Sequence, residues 1–313
     1  MDKNVRNKNV DICRAFALCI VVVYHIWVLS GQTEIKNNML RTFIMLGGEI
    51  GVTAFFVISG FGIYFSLKGM EQAGGIKFIN FLKRRAVRIM PEYYISILFL
   101  LFLSNAAVYL SRQGLKDILL HLIFIHNIRP GTAGTINGVL WTMAVMVQFY
   151  VIAIPLYKLC EKFHVIFCGI AILFTVACKY VLLHYILPIY VGGGVAFWLS
   201  RQLLPTVIDN FVLGMFIAQL VCRRQDKRKI WGGFYILGIM TVFILLYIVC
   251  VSGLRNGIHT DNVSGVTWHS AVGLCIALMV YCFSMLKLPQ KNLIYSVFLW
   301  LAKYEYGIYI IHL

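Results

Sequence analysis

Arg14 and His25 lie within one apolar run, Val10–Leu29, and are the residues best suited by type and spacing to do chemistry. A run of that length reads as a first membrane-spanning helix. Eleven residues make three helical turns plus about 20°, so both side chains share a face, roughly 16 Å apart along the axis. A guanidinium and an imidazole are costly in hydrocarbon, which predicts that they face a protein interior or a wet cavity. Asp11, three residues before Arg14, is placed to pair with it. An imidazole in such a place can serve as a general base near neutral pH. Spacing alone leaves a second reading open, with Asp11 and Arg14 as interfacial anchors and His25 as a hydrogen-bond partner between helices.

A second group follows in the segment Phe81–Tyr94. Arg85 and Arg88 are three apart on a predicted surface helix and present two guanidiniums on one side; Arg84 adds a third cation beside them. Guanidiniums bind phosphate bidentately, which lysine does not match. The alternative is a basic loop that touches lipid headgroups. Gln148 is a polar group inside an apolar helix and needs a partner there, by default a structural one. Tyr304, Tyr306, Tyr309 and His312 decorate the last apolar segment.

The elements that must hold these residues are helices in a bilayer. The chain has 313 residues, 60% of them hydrophobic and 13% charged, with mean hydropathy +0.82. That composition excludes a soluble domain and predicts an all-α, polytopic membrane bundle, since helices satisfy their own backbone in lipid. Nine spans are predicted, near 10–30, 44–66, 91–110, 139–158, 164–184, 204–222, 231–252, 268–287 and 293–313. The stretch 185–200 is apolar but short and contains Gly192-Gly193-Gly194. If it does not span, all basic clusters fall on one side: Lys3/Arg6/Lys8, Lys83–Arg88 and Arg223–Lys229. That arrangement obeys the positive-inside rule, with a cytoplasmic N-terminus. It also accounts for the net charge of +16 without nucleic acid.

The nine cysteines form no CxxC pair, so neither a metal site nor a disulfide framework is predicted. The first apolar run is long enough to span and reads as a retained helix rather than a cleaved signal. Residues 1–313 read as a single membrane domain.

Taken together, these motifs resemble the bacterial acyltransferase 3 family of membrane acyltransferases, over essentially the whole chain. The first helix carries Asp-x-x-Arg-x10-His as Asp11, Arg14 and His25. The second carries Gly51-Val-Thr-Ala-Phe-Phe-Val-Ile-Ser-Gly-Phe61, including Ser59. Arg85 and Arg88 are followed by Pro91 and Tyr93-Tyr94; then come Leu140-Trp141-Thr142, Gln148-Phe149-Tyr150 and Pro155. Leu204-Pro205, Asp209, Phe211 and Gly214-Met215 match a later helix, and Tyr306-Gly-Ile-Tyr309 with His312 matches the closing motif.

The resemblance implies transfer of an acyl group, often acetyl, from cytoplasmic acyl-CoA to a hydroxyl of a cell-surface polysaccharide or its lipid-linked precursor. Acyl-CoA would be a co-substrate, with no bound cofactor, in a bacterial inner membrane. His25 would assist attack by the acceptor hydroxyl, Arg14 would support the donor or the developing charge, and Arg85 and Arg88 would hold donor phosphates. Two positions depart from the family pattern. Met146 stands where a Glu is usual, and Thr53 where an Asp is often found. The family also commonly continues into a tenth helix, so the chain resembles a member shortened after Leu313. These departures leave two other readings open: an exporter of a glycan or small molecule on the same scaffold, or an inactive copy.

Overall fold

The computed structural model describes residues 7–103, 109–190, 192–224, 232–286, 288 and 292–312. Twelve α-helices and short 3-10 and π turns make up the described residues, and no strand occurs among them. The helices are α1 (Lys8–Leu29), α2 (Asn38–Met45), α3 (Gly47–Gln72), α4 (Phe78–Leu103), α5 (Arg112–Leu122), α6 (Pro130–Ala133), α7 (Trp141–Val181), α8 (Val195–Arg201), α9 (Ile208–Arg224), α10 (Gly232–Asn256), α11 (Val263–Met285) and α12 (Leu293–Ile311).

The nine predicted spans fall on eight of these helices. Six are long and apolar enough to cross a bilayer: α1, α3, α4, α7 with its continuation to Ile189, α10 and α11. α7 holds two predicted spans in one element of 41 residues, broken at His164, where φ is 51° and ψ is −121°. The chain turns back there. Trp141 and Lys179, from the two arms, both approach residues at one end of the bundle, while Glu161 meets Lys68 at the other. α9 and α12 occupy the remaining predicted spans. α9 has only 17 residues and begins at Ile208, later than predicted, and α12 is diluted by Lys303, Glu305 and its tyrosines.

One local prediction is corrected. The Arg85/Arg88 segment and the following span form one helix, α4, which runs through Pro91 without a break; residues 104–108 of that span lie outside the described residues. The stretch 185–200 forms no long helix, in keeping with the nine-span prediction that left it out. It consists of a π turn (Leu182–Ile186), a 3-10 turn (Leu187–Ile189) and the seven-residue α8. Its helical part, α8, is buried in protein: Ser200 and Arg201 are inaccessible, and Trp198 Nε1 donates to the Asn127 carbonyl at 2.7 Å.

α3 and α9 form the centre of the bundle. Glycine is what lets them touch: a Cβ at Gly60 would collide with the Phe211 carbonyl, and one at Gly214 with the Val57 carbonyl. Small residues are the usual means of close helix approach in lipid, where no hydrophobic force drives association. At the end where α1 begins, Asn9 Nδ2 donates to the carbonyls of Phe283 (2.9 Å) and Leu286 (2.7 Å), tying α1 to the last turn of α11. Lys8, Arg85, Arg88, Arg223 and Arg224 gather at this end. Lys3, Arg6 and Lys227–Lys229 of the predicted basic clusters lie outside the described residues.

Overpacking at a helix crossing of this kind costs about 1–3 kcal/mol. Gly60→Ala and Gly214→Ala should each lower the melting temperature of the detergent-purified protein. Gly169→Ala, on a face with no neighbour within 4 Å, should leave it unchanged.

Candidate active site

A cavity of about 760 Å³ opens between α1, α3, α4, α7 and α12. It unites side chains that are distant in sequence. Asp11 and Arg14 enter from α1, Ser59 and Lys68 from α3, Arg85 and Arg88 from α4, Thr142, Met146 and Tyr150 from α7, and Glu305, Tyr306 and Tyr309 from α12. Four cations (Arg14, Lys68, Arg85, Arg88) face two carboxylates (Asp11, Glu305), an excess of two positive charges. Lys68 is already engaged by Glu161 at 3.0 Å.

Each guanidinium is held differently. Arg14 lies between carboxylates on two helices, 3.7 Å from Asp11 Oδ1 and 3.6 Å from Glu305 Oε1. Arg85 is packed against aromatic faces, 5.5 Å from the Phe81 ring centroid and 5.9 Å from that of Tyr150. Its Nε is buried without a hydrogen-bond partner among the described residues. A buried donor left unmade is expensive, and this one belongs to a side chain on the cavity wall. Arg84 does not share this place: about 100° of helical rotation takes it off the face common to Arg85 and Arg88, and it is exposed outside the cavity lining.

His25 is not on the cavity wall. The wall ends at Tyr309, which packs against Phe55 (5.2 Å between centroids) and His312 (5.4 Å). His312 Nε2 is 2.9 Å from His25 Nδ1. The sequence therefore placed Arg14 and His25 on one helical face correctly, but the imidazole meets the closing motif rather than the cavity. Ser59, Tyr150 and Tyr306 line the cavity, and Tyr306 donates to the Ile89 carbonyl at 3.0 Å, fixing α12 to α4.

The other motif residues serve the frame. Gln148 donates to the Phe124 carbonyl (3.0 Å) and to Asn127 Oδ1 (2.7 Å), the structural role expected by default. Trp141 lies over the guanidinium of Arg201, 5.7 Å from its carbon. Asp209 is buried at the start of α9, where its Oδ1 accepts from the Asn210 amide at 2.9 Å and its charge faces Lys179.

Sequence reasoning missed Glu305 and a second polar cluster. A lone Glu within an apolar helix is itself a signal of function, and Glu305 carried it. In the second cluster Glu49 pairs with Arg201 and accepts from His269 Nε2 at 2.8 Å, with His259 Nε2 at 3.7 Å. His259 Nδ1 is 2.8 Å from Ser200 Oγ. Burial, with help from the charges of Arg201 and Lys179, pushes His259 in the 257–262 loop down to about 3. Four separate segments meet here, so no local pattern could reveal the cluster. Among the described residues no group of three or more His, Cys, Asp or Glu side chains is arranged to hold a metal ion.

The fold and cavity define a multi-pass helical membrane protein with an interior cationic site. The chain belongs to the acyltransferase 3 family: residues 7–313 match the family model, described as an acyltransferase domain. It is thus a membrane acyltransferase by family. No curated protein and no solved structure matches it.

Glu49→Ala would strand the buried Arg201 charge, an effect worth about 3 kcal/mol or more, and should cut thermal stability sharply. Adding Arg201→Leu should recover part of the loss. Because His259 titrates at about 3 when folded against 6.5 otherwise, the unfolded chain binds the extra proton between those values and stability falls on acidification below about pH 6.5. His259→Gln should flatten that slope in melting curves recorded from pH 7 to 5.

Proposed function

We propose that the protein transfers an acyl group, acetyl in the simplest case, from acyl-CoA to a hydroxyl of a cell-surface polysaccharide or its lipid-linked precursor. The observation that carries this reading is the shared cavity of Arg14, Arg85 and Arg88, whose wall ends at Tyr309, a ring packed against His312 of the His312–His25 pair. A cationic chamber at one end suits the phosphates of a CoA donor. Its thioester arm would extend toward the histidines, roughly 16 Å further along α1. His25 accepts the hydroxyl proton, and Arg14 supports the donor.

The basic residues gathered where α1 begins favour that end as cytoplasmic, so the donor would enter from the cytoplasm of a bacterial cell with an inner membrane. Met146 does lie on the cavity wall, which lacks a carboxylate from α7. Glu305 brings one into the same cavity from α12, and this supports an active site over an inert copy.

Purified protein should bind acetyl-CoA with salt-sensitive affinity. Arg85→Ala with Arg88→Ala should weaken binding about 10- to 100-fold, as expected for losing charge-assisted contacts. His25→Ala should retain binding and lose transfer of labelled acetyl to surface glycan. Binding absent in the parent protein, as for an exporter, or unchanged in the double variant, would reject the proposal.

A further inference from the structure

The two histidines meet in a geometry that fixes their protons. His312 Nδ1 lies 2.6 Å from the Tyr309 carbonyl oxygen, and His25 Nδ1 lies 3.0 Å from the Val21 carbonyl oxygen. A carbonyl oxygen only accepts, so each Nδ1 carries a hydrogen. Neutral His312 then has its lone pair on Nε2, the atom 2.9 Å from His25 Nδ1. The His25 Nδ1–H is therefore shared between the Val21 carbonyl and His312 Nε2. The opposite tautomer of His25 would set its Nδ1 lone pair against those of His312 Nε2 and of the Val21 oxygen.

His25 Nε2 is left unprotonated, and it has no hydrogen-bond partner among the described residues. In a bundle this apolar, a lone pair held open at a half-buried position is available to a substrate. We infer that His312 is a positioning residue: it locks His25 as the Nδ1–H tautomer and so presents Nε2 as the basic atom. The inference rests on the acyl-transfer reading above.

The step balances without any further reactant. The acceptor oxygen bonds to the thioester carbonyl carbon while its proton passes to His25 Nε2. The C–S bond then breaks, and the leaving thiolate takes that proton back from Nε2. While His25 is protonated, its Nδ1–H stays directed at His312 Nε2, and a neutral imidazole there shares the charge. An orienting partner on the far nitrogen of a catalytic histidine is a general device for selecting the tautomer. Here a second imidazole, 287 residues away in sequence, fills that position.

The test pairs kinetics with nitrogen NMR on the full chain in lipid nanodiscs, with ¹⁵N-labelled histidine and acetyl-CoA as donor. Wild type should show His25 protonated on Nδ1 and a coupling between His25 Nδ1 and His312 Nε2 across the hydrogen bond. His312→Leu should abolish the coupling, let His25 populate both tautomers, and lower kcat about tenfold or more while the KM for acetyl-CoA holds. His312→Gln, whose Oε1 can accept from His25, should restore most of kcat. A His25 protonated on Nε2, or a His312→Leu enzyme with wild-type kcat, would overturn the inference while leaving acyl transfer intact. Misfolding of the Leu variant is judged against the Gln variant, whose failure to restore kcat despite a native spectrum would also overturn it. A wild-type protein without any transfer would instead reject the acyl-transfer reading and the base role with it, the spectrum still deciding the tautomer.

Discussion

The rest of the structure depends on how Arg14 is kept charged inside an apolar bundle. A lone guanidinium there would have to leave the bundle or disrupt it. Asp11 meets it from the same helix and Glu305 from α12. The second contact joins the first and last described helices of the chain. That junction sets the cavity wall and seats the closing motif against α1. The same closure delivers His312 to His25, so the electrostatic demand of one residue positions the proposed base of another.

The central helices make this possible by being thin. α3 and α9 approach until backbone meets backbone at Gly60 and Gly214, which leaves the volume of the cavity to the side where α1, α4 and α12 converge. At the other end the Glu49–Arg201 pair pins α8 into the bundle. Arg201 also lies within electrostatic reach of Tyr309 and Tyr24, so the two polar systems share a border at the end of the cavity. Buried pairs of this kind contribute little net stability but fix a single arrangement when broken partners are so costly.

Much of this was legible in the sequence, for physical reasons. Apolar runs of bilayer length, with cations confined between them, predicted the helical membrane class and the positions of its spans. The 11-residue spacing of Arg14 and His25, and the three-residue spacing of Arg85 and Arg88, predicted shared faces because helical periodicity is local. Long-range partners were not legible. Nothing near Arg14 announces Glu305, nothing near His25 announces His312 beyond the family pattern, and Arg201 falls between the stretch 185–200 and the span predicted from 204. Arg84, next to Arg85 in sequence, lies about 100° round the helix and outside the cavity lining.

The central claim is that the arginine chamber and the histidine pair are two ends of one passage for an acyl-CoA. A cryo-EM structure with a non-hydrolysable acetyl-CoA analogue tests it most directly. The account predicts phosphates against Arg85 and Arg88 and the carbonyl carbon beside His25 Nε2. Phosphates bound elsewhere, or an acyl end directed into lipid away from both histidines, would contradict it.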